Sequence, residues 1–112
     1  MVFKKGDIVS VSKSAGSSEK GAHLGIILQA DWFNIGMPPS YIVSLISSKV
    51  YPELDFRPIL KPDNKNCLSA LSQVVIDKVQ TIKSSQIVSK VGQVDKQQMR
   101  EIHGCLKAIL GL

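Results

Sequence analysis

The sequence has few cysteines that could cross-link the chain or bind a structural metal, and no long apolar run that could cross a membrane. Only two cysteines occur among 112 residues, and their separation matches no metal-ligand spacing. We therefore expect Cys67 and Cys105 to be buried or half-buried free thiols. The amino-terminal MVFKKGDIVSVS lacks the apolar core of a signal peptide, and no stretch approaches the roughly 20 apolar residues of a membrane-spanning helix. We predict a cytoplasmic protein with no membrane partner, cofactor or metal site.

Acidic residues are also scarce relative to basic ones. The chain has 14 Lys and Arg against 9 Asp and Glu, a formal net charge of +5. This excess favours polyanionic partners such as RNA, DNA or an acidic protein segment, although many small basic proteins share it. With 44% apolar and 21% charged residues, and no repeat, linker or low-complexity segment, the composition predicts one globular domain over residues 1–112.

Short apolar segments at intervals of roughly 8 to 12 residues predict a small β-barrel or sandwich. Pro58 within FRPIL indicates an edge strand, because proline cannot donate to a strand ladder. Between the second and third strands, DWFNIGMPPS is predicted as a loop. Its Trp32 and Phe33 either pack over the core, which we favour, or stack on a nucleobase. The other predicted strands are Asp7–Ser12, Leu24–Ala30, Tyr41–Ser48 and two short strands in residues 67–82 with a break near Ser72 and Gln73.

The last third of the chain predicts helices. Ser84–Val91, with serine at its start and Gly92 directly after its end, is typical of a short helix. Asp95 is a candidate N-cap of a longer helix, and Gln98 three residues later is a variant of the capping box. The longer helix carries an apolar stripe that we expect to pack on the sheet. The stripe comprises Met99, Ile102, Leu106, Ile109 and Leu110.

Several short motifs follow one another in a specific order. KGDIV occurs at 5–9, GSSEKGAHLGIILQ at 16–29, IVSLISS at 42–48 and VIDKVQTI at 75–82, with Gln29, Asp31 and Asn34 between the second and third. In this order they resemble the MazF/PemK/Kid toxins of bacterial toxin–antitoxin pairs, and the resemblance continues from Val91 to Leu112. It implies a mainly β fold, an SH3-like barrel of the CcdB/PemK type with a short helix and a C-terminal amphipathic helix.

The same resemblance implies a function. Such toxins are metal-independent endoribonucleases that cleave single-stranded RNA, act as homodimers and are bound by a cognate acidic antitoxin in the RNA groove. Cleavage without a metal uses the 2′-hydroxyl of RNA as nucleophile. The enzyme must then take that proton, protonate the leaving 5′-oxygen and stabilise the charge on the phosphate.

Three positions carry the implied chemistry. Counted back from Gln29, the family's Arg position is occupied by His23. The family's Thr position is Ser47, which keeps the hydroxyl and is a donor to the phosphate or simply a strand-end hydroxyl. Asp77 matches the family's acid and either orients His23, acts as a base, or is satisfied by backbone donors at a strand end.

The histidine leaves three interpretations open. Arginine is a permanent cation, whereas histidine gives and takes a proton near neutral pH. His23 is therefore the acid and base of an altered working site, an RNA contact without strong catalysis, or a loop residue in a member that has lost activity. Further arginines of the family are replaced by Val75 and Gln80. The predicted RNA-binding residues are Glu19, Lys20, Lys49 and Lys78, whose lysines would supply the missing charge.

Two other functions compete with RNA cleavage. The first is a non-catalytic module that keeps the barrel and binds RNA or an acidic antitoxin. The second is a toxin of the CcdB type, which shares the fold but poisons DNA gyrase by protein contact. That second function is disfavoured because those proteins end in a Trp-containing tip, whereas this chain ends in AILGL.

Overall fold

One antiparallel sheet dominates the structure, a computed structural model that describes residues 2–12 and 23–112. Within these ranges six strands follow the order β4-β5-β3-β2-β1-β6. The sheet curves into a half-barrel with a C-terminal helix, so the predicted mainly β fold class is confirmed. The strands are β1 Asp7–Val11, β2 His23–Ile27, β3 Ser40–Ser47, β4 Ile59–Leu60, β5 Ser72–Lys83 and β6 Ile87–Gln93, and the helices are α1 Asp31–Asn34 and α2 Lys96–Leu110.

Two hydrophobic clusters lie on opposite faces of this sheet. Ile8 and Ile26 point into the first cluster, where they meet Ile102 of α2. Their chain neighbours Val9 and Ile27 point into the second. Because successive residues of a strand face opposite sides, both faces of β1 and β2 are buried, which explains their continuous apolar sequence.

Helix α2 begins as predicted. Asp95 Oδ1 accepts a hydrogen bond of 2.7 Å from the backbone N–H of Gln98, and the Gln98 side chain accepts one of 2.9 Å from the N–H of Asp95. Ile102 is fully buried, but Ile109 is 41% and Leu110 59% exposed, so the apolar stripe packs on the sheet only in its first half. No helix in the described part of the chain has the length and apolar character needed to cross a membrane.

The prediction of a helix over Ser84–Val91 is wrong. Residues Ser84–Gln86 form a single 3₁₀ turn, and the chain then continues as β6, which pairs with β1. Gly92 lies inside β6 rather than after a helix. A Cβ atom at Gly92 would lie 2.4 Å from the carbonyl oxygen of Asn66, so only glycine allows the backbone of the loop after β4 to approach this strand.

The middle of the chain also differs from prediction. Instead of two short strands with a break near Ser72 and Gln73, a single strand of 12 residues begins at these two positions, and residues 67–71 form no strand. Cys67, expected to be at least half-buried, is exposed, whereas Cys105 is half-buried and burial raises the pKa of its thiol. The edge strand after Pro58 is confirmed, since β4 pairs with β5 alone.

The segment predicted as a loop between β2 and β3 contains α1. The favoured packing of its aromatic residues over the core is wrong, because Trp32 is 77% and Phe33 48% exposed. The buried side chain of α1 is instead that of Asn34. This segment therefore presents apolar side chains to solvent and a polar one to the interior.

Candidate functional site

A groove of about 540 Å³ is lined by strands β2, β3 and β5 and by the loop before β5. It is referred to from here on simply as the groove. Four of the predicted site residues line it: His23, Ser47, Lys49 and Lys78. The structure thus brings together residues from three separate regions of the sequence. The other lining residues are Leu24, Leu45, Ile46, Ser48, Leu68, Ser69, Ala70, Ser72, Val75 and Gln80.

His23 and Ser47 share one end of the sheet because their strands are antiparallel. Leu24 pairs with Ile46. Extending this register by one residue places His23, the first residue of β2, opposite Ser47, the last residue of β3. Residues in opposite positions have Cβ atoms about 4.5–5.5 Å apart. Both side chains are half-buried, so an imidazole and a hydroxyl face the same small volume of the groove.

The hydroxyl of Ser47 is oriented by the backbone that follows it. Its Oγ accepts a hydrogen bond of 3.0 Å from the backbone N–H of Lys49. A hydroxyl that accepts in this way keeps its own proton for donation. Ser47 can therefore donate a hydrogen bond to an anionic group in the groove without losing the contact that holds its oxygen in place.

The electrostatic character of the groove suits an anion. Lys49 and Lys78 line it, both exposed, and none of its described lining residues is acidic. Neither lysine side chain makes a hydrogen bond or ion pair within the described part of the chain. Lys78 has the carboxylate of Asp77 as an electrostatic neighbour, but neither ammonium is held in a direct contact, so both can raise the local concentration of negatively charged ligands.

The wall facing the strands comes from the loop between β4 and β5. Asn66 is fully buried there, with Nδ2 donating to the carbonyl of Lys61 at 2.8 Å and Oδ1 accepting from the backbone N–H groups of Asp63 and Leu68 at 3.0 Å each. The backbone N–H of Asn66 in turn holds the pKa of the Asp63 carboxyl below its ordinary value. The segment KPDNKN at 61–66 thus holds residues 68–70 beside the groove.

Asp77 lies apart from this arrangement. Its carboxylate accepts two hydrogen bonds from Arg57, 2.7 Å from Nε and 3.0 Å from Nη2. The hydrogen bonds from Arg57 are the main cause that lowers the pKa of Asp77. Asp77 is not among the residues that line the groove. The expectation that it orients His23 therefore gains no support, and Arg57 is a partner that the sequence did not indicate.

Behind Ser47 lies a second polar residue that sequence reasoning missed. Gln73 pairs with Ser47 across β3 and β5 and is 1% exposed. Its Oε1 accepts from the backbone N–H of Tyr51 at 2.9 Å, and its Nε2 lies 3.2–3.3 Å from the carbonyl oxygens of Tyr51, Leu54 and Arg57. One buried amide thus fixes the chain that leaves β3 directly after the site.

The remaining predictions cannot be placed on this geometry. Glu19 and Lys20 lie outside the described residues. Among residues 2–12 and 23–112, no group of three or more His, Cys, Asp or Glu side chains is arranged to hold a metal ion.

Comparison with known proteins identifies a family whose model matches almost the whole chain. Residues 4–110 match the family model described as PemK-like, MazF-like toxin of type II toxin–antitoxin system. No curated protein matches the sequence significantly.

Solved structures of toxins from Deinococcus and from mycobacteria have a similar fold. The MazE–MazF complex of Deinococcus radiodurans (Form-III) superposes with a TM-score of 0.80 at 17% identity, covering 100% of this chain and 99% of that chain. The Mycobacterium tuberculosis toxin MazF-mt6 gives 0.77 at 18% identity, covering 95% and 97%. A mycobacterial endoribonuclease in complex with its cognate antitoxin gives 0.77 at 17% identity, covering 99% and 95%.

Proposed function

This chain belongs to the PemK-like, MazF-like toxins of type II toxin–antitoxin systems, and on that premise we propose that it cleaves single-stranded RNA without a metal ion. The observation that carries the proposal is the juxtaposition of His23 and Ser47 at one end of a basic groove. This reaction requires acid–base chemistry, an oriented hydrogen-bond donor and positive charge near the phosphates. The groove residues provide one of each kind.

In the proposed reaction His23 takes the proton of the RNA 2′-hydroxyl as that oxygen attacks the adjacent phosphorus. The bond from phosphorus to the 5′-oxygen then breaks, and the imidazolium returns its proton to the leaving oxygen. The products are a 2′,3′-cyclic phosphate and a 5′-hydroxyl. Ser47 donates a hydrogen bond to a non-bridging phosphate oxygen, where negative charge increases in the transition state.

The groove lysines have a different role. Lys49 and Lys78 are exposed at the groove, so in this proposal they bind the phosphates on either side of the cleaved bond rather than the reacting atoms. The same positive charge suits an acidic antitoxin segment, which we propose as the inhibitor that occupies the groove. Similar folds occur in MazE–MazF complexes, which supports a partner of this kind. The active species is proposed to be a homodimer.

The test is direct cleavage in the presence of EDTA. Purified protein is incubated with a mixture of single-stranded RNAs of varied sequence, and the fragment ends are analysed. We expect fragments that end in a 2′,3′-cyclic phosphate and begin with a 5′-hydroxyl. Cleavage that stops on chelation, or fragments with other termini, would contradict the mechanism.

A non-catalytic binding module is the second candidate. Val75 and Gln80 line the groove at positions where the resembling toxins carry arginine, so the groove has fewer cations than the motif implies. This candidate predicts that the same RNA mixture is bound in a salt-dependent manner and recovered intact.

A further inference from the structure

Gln80 lines the groove from β5 but has no part in the proposed reaction. The sequence contains seven glutamines. Five of them form hydrogen bonds through their side-chain amides, namely Gln29, Gln73, Gln86, Gln93 and Gln98. Gln80 and Gln97 form none within the described part of the chain, and Gln97 lies on α2, outside the groove. Gln80 therefore faces a cleft with its donor and its acceptor both unused.

The neighbour of Gln80 in the groove is a cation. Lys78 lies two residues earlier on the same strand, and alternate residues of a strand point to the same side. Their side chains enter the groove about 7 Å apart along β5, and no described lining residue is acidic. An RNA phosphate bound by Lys78 therefore brings a sugar and its base close to Gln80.

Gln80 is too far from Ser47 to touch the phosphate that is cleaved. It pairs with Val43 of β3, whereas Ser47 lies four residues further along that strand. At about 3.3 Å per residue, the two positions are separated by about 13 Å along β3. Gln80 thus meets a nucleotide beside the cleaved bond and leaves the reacting atoms to the other end of the groove.

The groove surface between these positions is suited to a base. Leu45 lies between Val43 and Ser47 on β3, Val75 contributes from β5, and both are half-buried lining residues. Aliphatic side chains cover the flat face of any base and do not distinguish one base from another. Gln80 is the only carboxamide among the described lining residues, so it can supply the discrimination that they lack.

The chemistry of a carboxamide selects among the bases. Its Nε2 donates and its Oε1 accepts side by side in one plane. Adenine is complementary on both of its edges, because its 6-amino group donates beside a ring nitrogen that accepts, N1 on one edge and N7 on the other. Guanine presents two adjacent acceptors, O6 and N7, which suit the paired donors of arginine. The resembling toxins carry arginine at the position of Gln80.

We propose that Gln80 is a specificity-determining residue that binds an adenine beside the cleaved bond, donating from Nε2 to a ring nitrogen and accepting at Oε1 from the 6-amino group. The inference rests on the proposed function in taking single-stranded RNA as the ligand, and it adds the identity of one base of the substrate. Replacement of arginine by glutamine at this position then alters which RNA is bound.

The test measures binding without cleavage. The probes are short, dye-labelled oligouridylates whose 2′-O-methyl groups prevent attack by a 2′-hydroxyl. The central position carries adenine, guanine, or purine, the analogue of adenine without its 6-amino group. By fluorescence anisotropy, the adenine probe should bind about tenfold more tightly than the guanine probe. The purine probe should bind no better than the guanine probe, because the donor to Oε1 is missing.

Variants of the two unbonded glutamines assign this preference to one residue. Gln80→Ala should abolish the difference between the adenine and guanine probes and leave binding of unsubstituted oligouridylate unchanged. Gln80→Arg should reverse the preference toward guanine. Gln97→Ala, which removes the exposed amide on α2, is the matched control and should keep the preference for adenine.

Equal affinity of the unmodified protein for the adenine and guanine probes would overturn the proposal. So would a preference for adenine that persists in Gln80→Ala, or a uniform weakening of every probe in that variant, which would identify a contact with the RNA backbone. RNA cleavage with no adenine at a fixed position beside the cut would leave the proposed function intact and remove this inference. Adenine-dependent binding without cleavage would do the reverse.

Discussion

Ser47 and Gln73 occupy opposite positions on paired strands, yet the surroundings of their polar groups differ. Gln73 belongs to what we call the Gln73 corner, formed with Arg57 and Asp77, where the Gln73 amide has four backbone partners and Asp77 is held by two bonds from Arg57. In the groove, Ser47 accepts a single backbone hydrogen bond and the lysines carry no ion pair within the described residues.

The contrast separates polar groups that stabilise the fold from those available to a ligand. A buried group whose hydrogen bonds are all formed within the protein has nothing left to offer a substrate. By contrast, the Ser47 hydroxyl can still donate its proton, and the groove lysines can still form ion pairs with a ligand. Asp77 and Lys78 are consecutive in β5, but only Lys78 lines the groove. On this basis mutations in the groove should change activity, and mutations in the Gln73 corner should change stability.

The largest expected effect is that of His23→Ala on RNA cleavage. Removing the proposed acid and base should lower the rate about 10²- to 10⁴-fold, and the thermal unfolding midpoint of the variant is measured alongside so that a loss of fold is not mistaken for a loss of chemistry. The measurement is single-turnover cleavage of a fluorescent single-stranded RNA. His103→Ala, which removes the other histidine, serves as the control. Full activity of the His23 variant would remove this residue from the mechanism.

Gln73→Leu should give the next largest effect, on stability rather than on chemistry. The leucine fills the volume but leaves the Tyr51 N–H and three carbonyl groups without their partner. We expect the free energy of unfolding to fall by about 3 kcal/mol, measured by urea denaturation. If stability is unchanged while activity is lost, Gln73 would belong to the groove and not to the scaffold.

Ser47→Ala should have an intermediate effect on activity. Loss of the donor to the phosphate oxygen should reduce the cleavage rate about 10- to 100-fold. The fold should be unaffected, because the hydroxyl only accepts from the exposed Lys49 backbone. Ser47→Thr, which keeps the hydroxyl, should retain most of the rate. Equal losses in both variants would indicate crowding of the groove rather than loss of a hydrogen bond.

Asp77→Asn should have the smallest effect, and one that depends on pH. Arg57 lowers the pKa of Asp77 in the folded protein, so the pair stabilises the fold above the unfolded pKa of about 3.9 and this contribution disappears as pH falls through the folded value. Since water screens the pair, we expect a loss of about 1 kcal/mol at neutral pH and no difference from the unmodified protein in strong acid.

Urea denaturation across a pH series measures this effect. The control is Asp55→Asn, which changes an exposed acid in the loop that carries Arg57 and should leave stability unaltered at every pH. A loss of RNA cleavage in Asp77→Asn, with normal stability, would restore the catalytic role that the sequence resemblance implied.

Local signals in the sequence predicted local structure well. Asp95 and Gln98 form the capping box that their spacing indicates, and the three apolar segments of the first half form β1, β2 and β3. The placement of His23 opposite Ser47 could also have been predicted from the sequence. The resemblance identifies both positions, and antiparallel pairing of β2 with β3 brings these strand ends together.

Predictions failed where distant segments decide the outcome. The serines and glycine around Ser84–Val91 satisfy helix-end rules, but pairing with β1 and contact of Gly92 with the loop after β4 stabilise a strand instead. Gln73 resembled a strand break because polar residues are rare inside buried strands. The loop that satisfies its amide lies about twenty residues earlier in sequence, and no local pattern reveals such a partner.

The contact between Gly92 and Asn66 also affects when the groove can form during folding, because it joins the loop at the groove to β6. The loop that forms one wall of the groove is held against β6, where the Gln93 N–H donates to the carbonyl of Lys65 at 3.0 Å. A chain still attached to the ribosome lacks that support until β6 has emerged from the exit tunnel. The groove is therefore complete only once β6 has joined the sheet, although the strands that carry His23 and Ser47 precede β6 in sequence.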